Sequence, residues 1–318
     1  MNILKTLAAS TAIAVAATAA VAQEGKIAIA DLTWTGADAI GAVIQAIITG
    51  PMGGEAEIIQ GASDGSVIFA GMDKGDGSID VHPDIWMPNQ VANWDQYVDG
   101  NKTVGVNKPY TGTQGMFVPS YLSDKVTSFE DLANPEIAAL FDKDGNGKGE
   151  YWAGDSSWTS TKMWQVKFKS YGLDELWEPE IISDATFKAQ LKAAYGNEKP
   201  ILFYYWTPEW LFAAYDLSPL DEPPVTDGCR VLNLEQEDWL EASTFKCKHN
   251  DAEVWIGYSK SLDKRNPAVS KMLSNMVLDP GTVNDWILRI GRDEEVAQDV
   301  AEEWVADNMD LVNSWING

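Results

Sequence analysis

From Ile27 to Trp86 short apolar runs alternate with stretches of helical period, and no other feature limits the fold as tightly. Lys26-Ile27-Ala28-Ile29-Ala30 reads as a strand, and Asp31-Leu32-Thr33-Trp34-Thr35-Gly36 as a loop with an aromatic tip. Apolar residues at Ile40, Val43, Ile44, Ile47 and Ile48 then keep the spacing of one helix face. Gly50-Pro51 stops that helix. Glu57-Ile58-Ile59-Gln60 is the next strand, Ser66 to Met72 a short helix, and Asp80-Val81-His82-Pro83-Asp84-Ile85-Trp86 a strand with a second aromatic tip. Strands and helices alternating this way wind into an α/β fold around a mostly parallel sheet.

The 318 residues suit two such units, each with ample core. Thr113 to Pro119 reads as a strand crossing into a second lobe. Ser128-Phe129-Glu130-Asp131-Leu132 opens a helix, with a Ser cap and acids in its first turn. Ser183 to Tyr195 is an amphipathic helix with Phe187, Leu191 and Ala194 on one side. Pro200-Ile201-Leu202-Phe203 is a buried strand that ends at Thr207-Pro208, since Pro lacks an N–H and restricts its predecessor. Glu253 to Tyr258 is the return crossing. From Asn266 onward the chain is helical, with Pro267 near a helix start and Pro280-Gly281 as a break. Trp286, Trp304 and Trp315 on these helices are assigned to the lobe's core or surface. Lobe 1 is expected over 23–112 and 255–318, and lobe 2 over 113–254. After the leader there is no internal repeat and no low-complexity segment.

The leader itself is Met1-Asn2-Ile3-Leu4-Lys5, an Ala-rich apolar run to Ala20, and Ala20-Val21-Ala22 before Gln23. This is the pattern of a secretory signal peptide over 1–22. No later apolar run approaches the length of a membrane span, so an exported, soluble protein is expected. The formal net charge of −25 argues against nucleic acid and anionic membranes as partners. It is compatible with a cationic or zwitterionic ligand, and equally with a plain solvated surface. Cys229 and Cys247, the only cysteines, are expected to form a disulfide in an oxidising compartment. With only His82 and His249 available, a His-based zinc site is not expected, nor is an organic cofactor.

Trp34, Trp86 and Trp206 each follow a strand-like run, and Trp158 lies in the loop Gly154 to Thr161. Open α/β sheets place ligands at strand C-terminal ends. Two of these Trp come from each expected lobe, so a cleft lined by all four would close on a compact apolar cation. Each desolvated cation–π contact is worth about 2 kcal/mol or more. Ser156 to Thr161 also reads as the cap of a following helix, whose free N–H groups would suit a ligand oxygen.

Asp80-Val81-His82-Pro83-Asp84-Ile85-Trp86 and Tyr204-Tyr205-Trp206-Thr207-Pro208 resemble the glycine betaine/choline-type substrate-binding proteins of ABC transporters. The resemblance runs from Ile27 to about Pro280. It implies a two-lobed periplasmic binding protein of type II, monomeric, with no catalytic activity. It implies an aromatic cage for a trimethylammonium head and delivery to a permease in the inner membrane. Trp86 and Trp206 carry over as cage residues. Trp158 carries over where relatives have a Gly-rich turn with a following Cys, while here Thr159-Ser160 follows. Trp34 is added from its loop position. Many relatives place His after the Trp-Thr-Pro motif, whereas this chain has Glu209. In the cleft Glu209 would repel a ligand carboxylate, which favours trimethylamine N-oxide or choline over glycine betaine. The chain most resembles the trimethylamine N-oxide-binding members.

Asp142-Lys143-Asp144-Gly145-Asn146-Gly147-Lys148-Gly149-Glu150 opens like an EF-hand loop, with oxygen side chains at positions 1, 3 and 5 and Gly at 6. Position 12 is Ala153 instead of Glu. A structural calcium ion held by Asp142, Asp144, Asn146, Lys148 and Glu150 is the expectation, against an acidic turn that binds nothing. For the whole chain the alternative is an exported carbohydrate-active or carbohydrate-binding protein, since Trp platforms and paired acids also serve sugars. A structural or adhesive envelope protein is a third reading.

Overall fold

The computed structural model describes residues 25–61 and 63–318, so the expected signal peptide lies outside the described residues. The first strands are β1 (Ile27–Ala30), β2 (Ala56–Ile59) and β3 (Val81–Met87), joined by helices Thr35–Thr49 and Gly65–Lys74. β1 pairs in parallel with both neighbours and is buried along its whole length, as its continuous apolar run requires. Gly65–Lys74 begins where Asp64 accepts a hydrogen bond from the Val67 N–H and ends at Gly75 in the left-handed region.

The remaining strands are β4 (Val104–Val106), β5 (Tyr110–Pro119), β6 (Gly149–Gly154), β7 (Trp177–Ile181), β8 (Leu202–Thr207) and β9 (Leu217–Pro219). After them come β10 (Arg230–Val231), β11 (Thr244–Phe245) and β12 (Ala252–Ser259). One mixed sheet runs β2-β1-β3-β12-β5-β8-β6-β7, with β4 added on β12 and β9 on β5. In its first half β1 is parallel to β2 and β3. In its second half β6 is parallel to β7 and β8. The antiparallel strands β12 and β5 lie between.

β5 belongs to both halves. Tyr110, Thr111 and Gly112 face Val254, Glu253 and Ala252 of β12, and Thr113 to Phe117 face Thr207 to Phe203 of β8. The run Thr113 to Pro119 is therefore the second part of a longer strand that changes partners after Gly112.

Two local readings are corrected. No α-helix opens at Ser128. The Ser cap itself is present, with Ser128 Oγ accepting the Asp131 N–H at 3.3 Å, and Asp131 Oδ2 in turn accepts from the backbone N–H groups of Thr127 and Ser128, both at 2.9 Å. A 3-10 turn, Asp131–Ala133, and a short helix, Pro135–Ala138, follow. Pro135 holds Asn134 in an extended conformation, which prevents one continuous helix. Pro280 does not break a helix; it starts one, Pro280–Ile287, capped by Asp279. Trp286 and Trp315 are buried there, with Trp304 packed edge-on to Trp286.

Cys229 and Cys247 form the expected disulfide, with Cα atoms 5.9 Å apart. The bridged segment packs Leu234, Phe245 and Cys247 on Met163 and Val166 of the helix Thr159–Ser170. It thereby steadies the helix that begins at Trp158.

Candidate functional site: an aromatic cleft

β3 and β8 flank the β12–β5 pair, and each carries a Trp one residue before its end. Both strands run into cis X-Pro bonds, Met87–Pro88 and Thr207–Pro208. The Trp86 and Trp206 rings lie 6.3 Å apart at 70°. Trp158, the N-cap of its helix, is 5.2 Å from Trp206 at 79° and 5.7 Å from Trp34 at 86°. Trp34 is the N-cap of helix Thr35–Thr49. The structure thus brings all four Trp together. Successive rings stand nearly perpendicular, so they form the walls of a box rather than a stack. The cleft they line has about 510 Å³ of empty space, its mouth and open solvent included.

Each wall has its own support. Trp206 stacks on Tyr205 at 4.3 Å and 12°. Trp158 Nε1 donates to Thr33 Oγ1 at 3.0 Å. Trp34 Nε1 and Trp86 Nε1 both donate to Asp84 Oδ2, at 2.6 and 2.9 Å, and Tyr110 donates its phenol proton to Asp84 Oδ1 at 2.8 Å. Asp84 is 1% exposed and lies in the cleft wall. Burial pushes its carboxyl up, while the donors Trp86, Trp34 and Tyr110 act to hold it ionised. Nearby His82 is pulled down to about 3 by burial, so its ring is neutral, and its Nδ1 accepts the Asp84 N–H at 3.3 Å.

The polar margin spans the cleft. Gln90 Nε2 donates to Thr159 Oγ1 at 3.3 Å. Asn89 and Gln114 exchange amide hydrogen bonds at 2.9 and 3.2 Å. The helix Thr159–Ser170 starts within the Ser156 to Thr161 loop, as the capping pattern there predicts. Thr159 and Ser160 of its first turn lie in the wall. The first N–H groups of a helix have no intrahelical acceptor and favour an anionic oxygen.

Glu209 is not in the wall, and it does not face solvent either. It is 2% exposed, with Oε1 accepting the Trp210 N–H at 3.0 Å and 3.8 Å from Lys188 Nζ. Its other oxygen makes no hydrogen bond among the described residues. Burial above all pushes its carboxyl up to about 7, against the pull of Lys188. Lys188 also binds Asp184 Oδ2 at 2.7 Å and donates to Thr35 Oγ1 at 3.0 Å, tying helix Asp184–Gly196 to the start of Thr35–Thr49. The acid in the wall is Asp84, two residues before Trp86 in a strand. Alternation puts such residues on one face, so this pairing was readable in the sequence and was missed.

In the acidic loop, Asp142, Asp144 and Glu150 bring carboxylate oxygens within 4.8 Å of one another. Asp142 accepts the N–H groups of Gly145 and Gly147, and Asn146 Oδ1 accepts that of Lys148. The Lys148 ammonium turns away to the Asp174 carbonyl, leaving only its own carbonyl for an ion. These oxygens are of the hard type that suits calcium.

The family described as the substrate binding domain of ABC-type glycine betaine transport systems matches residues 25–307. The glycine betaine-binding periplasmic protein OusX of Dickeya dadantii is 25% identical over 219 residues, 64% of this chain and 63% of that protein. The chain thus spans less than two thirds of that relative's length. A choline-binding ABC-transporter protein in complex with choline superposes with a TM-score of 0.72 at 19% identity, over 92% of each chain. Lactococcal OpuAC, closed on glycine betaine, gives 0.69 at 20% identity over 92% of this chain and 99% of that one. At these identities the structures speak to the fold alone, and they agree with the α/β binding-protein architecture.

Proposed function

This chain belongs to the family of substrate-binding domains of ABC-type glycine betaine transport systems, and from that premise we propose that it captures a small methylated amine for an ABC importer. The family is one of binding domains, not of enzymes. The observation that carries the reading is the convergence of Trp34, Trp86, Trp158 and Trp206 on one cleft with nearly perpendicular walls. Such a box surrounds an ammonium with ring faces, the arrangement that recognises methylated cations.

Trimethylamine N-oxide is the favoured ligand, with choline and glycine betaine as the other candidates. The first turn of helix Thr159–Ser170 supports the N-oxide, because its N–H groups would meet the single oxygen while the methyl groups fill the box. The proposal includes a monomer in the periplasm, closing between lobes 23–112 with 255–318 and 113–254, and delivering its ligand to an inner-membrane permease. Among the described residues no helix is long and apolar enough to cross a membrane. A structural calcium ion at Asp142, Asp144, Asn146, Lys148 and Glu150 is a further part of it.

The carbohydrate alternative finds little support, since among the described residues Asp84 is the one acid in the cleft wall and a glycosidase needs two. Trp fluorescence separates the readings. Methylated amines should shift the emission saturably and sugars should not; the opposite pattern would reverse the proposal.

A further inference from the structure

Four acids are buried among the described residues: Asp80, Asp84, Asp184 and Glu209. A buried carboxylate normally has a cation beside it, because removing the charge from water is costly. Asp80 has Arg265, Asp184 has Lys188 at 2.7 Å, and Glu209 has the same lysine at 3.8 Å. Asp84 has no Lys or Arg within 4.0 Å among the described residues. Its surroundings are two indole N–H groups, a phenol and a neutral imidazole, and it is the acid that lines the cleft.

We propose that Asp84 is the counter-charge for the ligand's methylated ammonium, so that it selects ligands with no carboxylate beside that ammonium. This rests on reading the cleft as a methylated-amine site. The indoles of Trp34 and Trp86 share one carboxylate oxygen. One side chain therefore holds two walls in place and makes the space between them negative. Ring faces attract the cation, and the fixed charge adds a longer-ranged attraction in a site of low dielectric. A ligand carboxylate near the same walls would meet that charge and lose affinity. A ligand oxygen turned to the Thr159 end of the cleft would avoid it.

Asp84→Asn is the test. Its amide oxygen can still take both indole protons, and its amide N–H can donate to the Tyr110 oxygen, so shape and hydrogen bonding persist while the charge is lost. Calorimetric titration with choline and with glycine betaine should show the choline affinity falling and the glycine betaine affinity falling less. The ratio of the two should shift about tenfold towards glycine betaine. Equal losses for both ligands, as a purely structural role would give, would overturn the assignment, as would no loss at all. If the variant has no cooperative melt, Tyr110→Phe replaces it, since that change withdraws one of the donors that hold the carboxylate ionised. It should weaken the preference for choline, and an unchanged or sharpened preference would overturn the assignment. A native protein that binds neither of these amines nor trimethylamine N-oxide would sink the reading of the cleft and this inference with it; if it binds the N-oxide alone, Asp84→Asn should weaken that binding, and an unchanged affinity would sink this inference. Native binding with an unchanged ratio would sink this inference alone.

Discussion

Gly112 lies directly under the Trp86 ring: a Cβ on it would stand 2.7 Å from Cη2 and Cζ3 of that indole and 2.8 Å from the Thr207 carbonyl oxygen. Neither neighbour can move freely. The ring is fixed by Asp84, and the carbonyl belongs to the strand paired with β5. The glycine is therefore what lets one cage wall sit against the strand that passes between the two halves of the sheet.

Gly112→Ala should push Trp86 out of place. The expected result is an affinity loss of about tenfold or more, with a stability loss of about 1–3 kcal/mol from overpacking. Titration and a denaturant melt on the same variant check it. Unchanged affinity would show that Trp86 does not need this seat.

Trp206→Ala removes the ring that touches both Trp86 and Trp158. Binding should be lost. Trp206 is also 5% exposed and stacked on Tyr205, so the variant should lose about 3 kcal/mol of stability while remaining folded. A folded variant with native affinity would remove Trp206 from the cage.

Glu209 predicts a pH dependence. Its folded-state value near 7 lies above its ordinary value of 4.5, so the folded protein holds this proton more tightly than the unfolded chain. Stability from this group is present below about 4.5 and is lost as pH rises towards 7. Above that, the buried charge costs up to about 3 kcal/mol. Glu209→Gln should melt higher than the native protein at pH 8 and nearly equal to it at pH 4. A variant that melts lower at pH 8 would mean that the Lys188 contact outweighs the burial cost.

Calcium in the Asp142 loop would brace the start of β6, which leads to the Trp158 loop. A chelator should then lower the melting temperature, calcium should restore it, and Asp142→Ala should respond to neither. A native melt indifferent to both additions would leave the loop as an acidic turn.

Much of this arrangement was legible from residue patterns. The strand–helix alternation from Ile27 to Trp86 placed the first half of the sheet, because continuous apolar strands and a one-faced helix admit few other packings. The shared address of Trp34, Trp86 and Trp206 at strand ends led to the cleft. What local pattern could not supply was which way a short polar side chain turns after a bend. Glu209 follows Pro208 and is drawn inward towards Lys188, which comes from a helix about twenty residues earlier in the chain. Asp84 shows the converse, since its distance to Trp86 was readable but its link to Trp34, fifty residues away, required the fold. At Ser128 the cap is made, since its Oγ accepts the Asp131 N–H, but Pro135 follows and holds Asn134 extended, so the turn stays short.

The most direct test of the central claim is calorimetric titration of the protein at neutral pH with trimethylamine N-oxide, choline and glycine betaine. Saturable one-site binding of at least one of them is expected, lost in Trp206→Ala. No heat from any of the three, together with binding of a sugar, would contradict it.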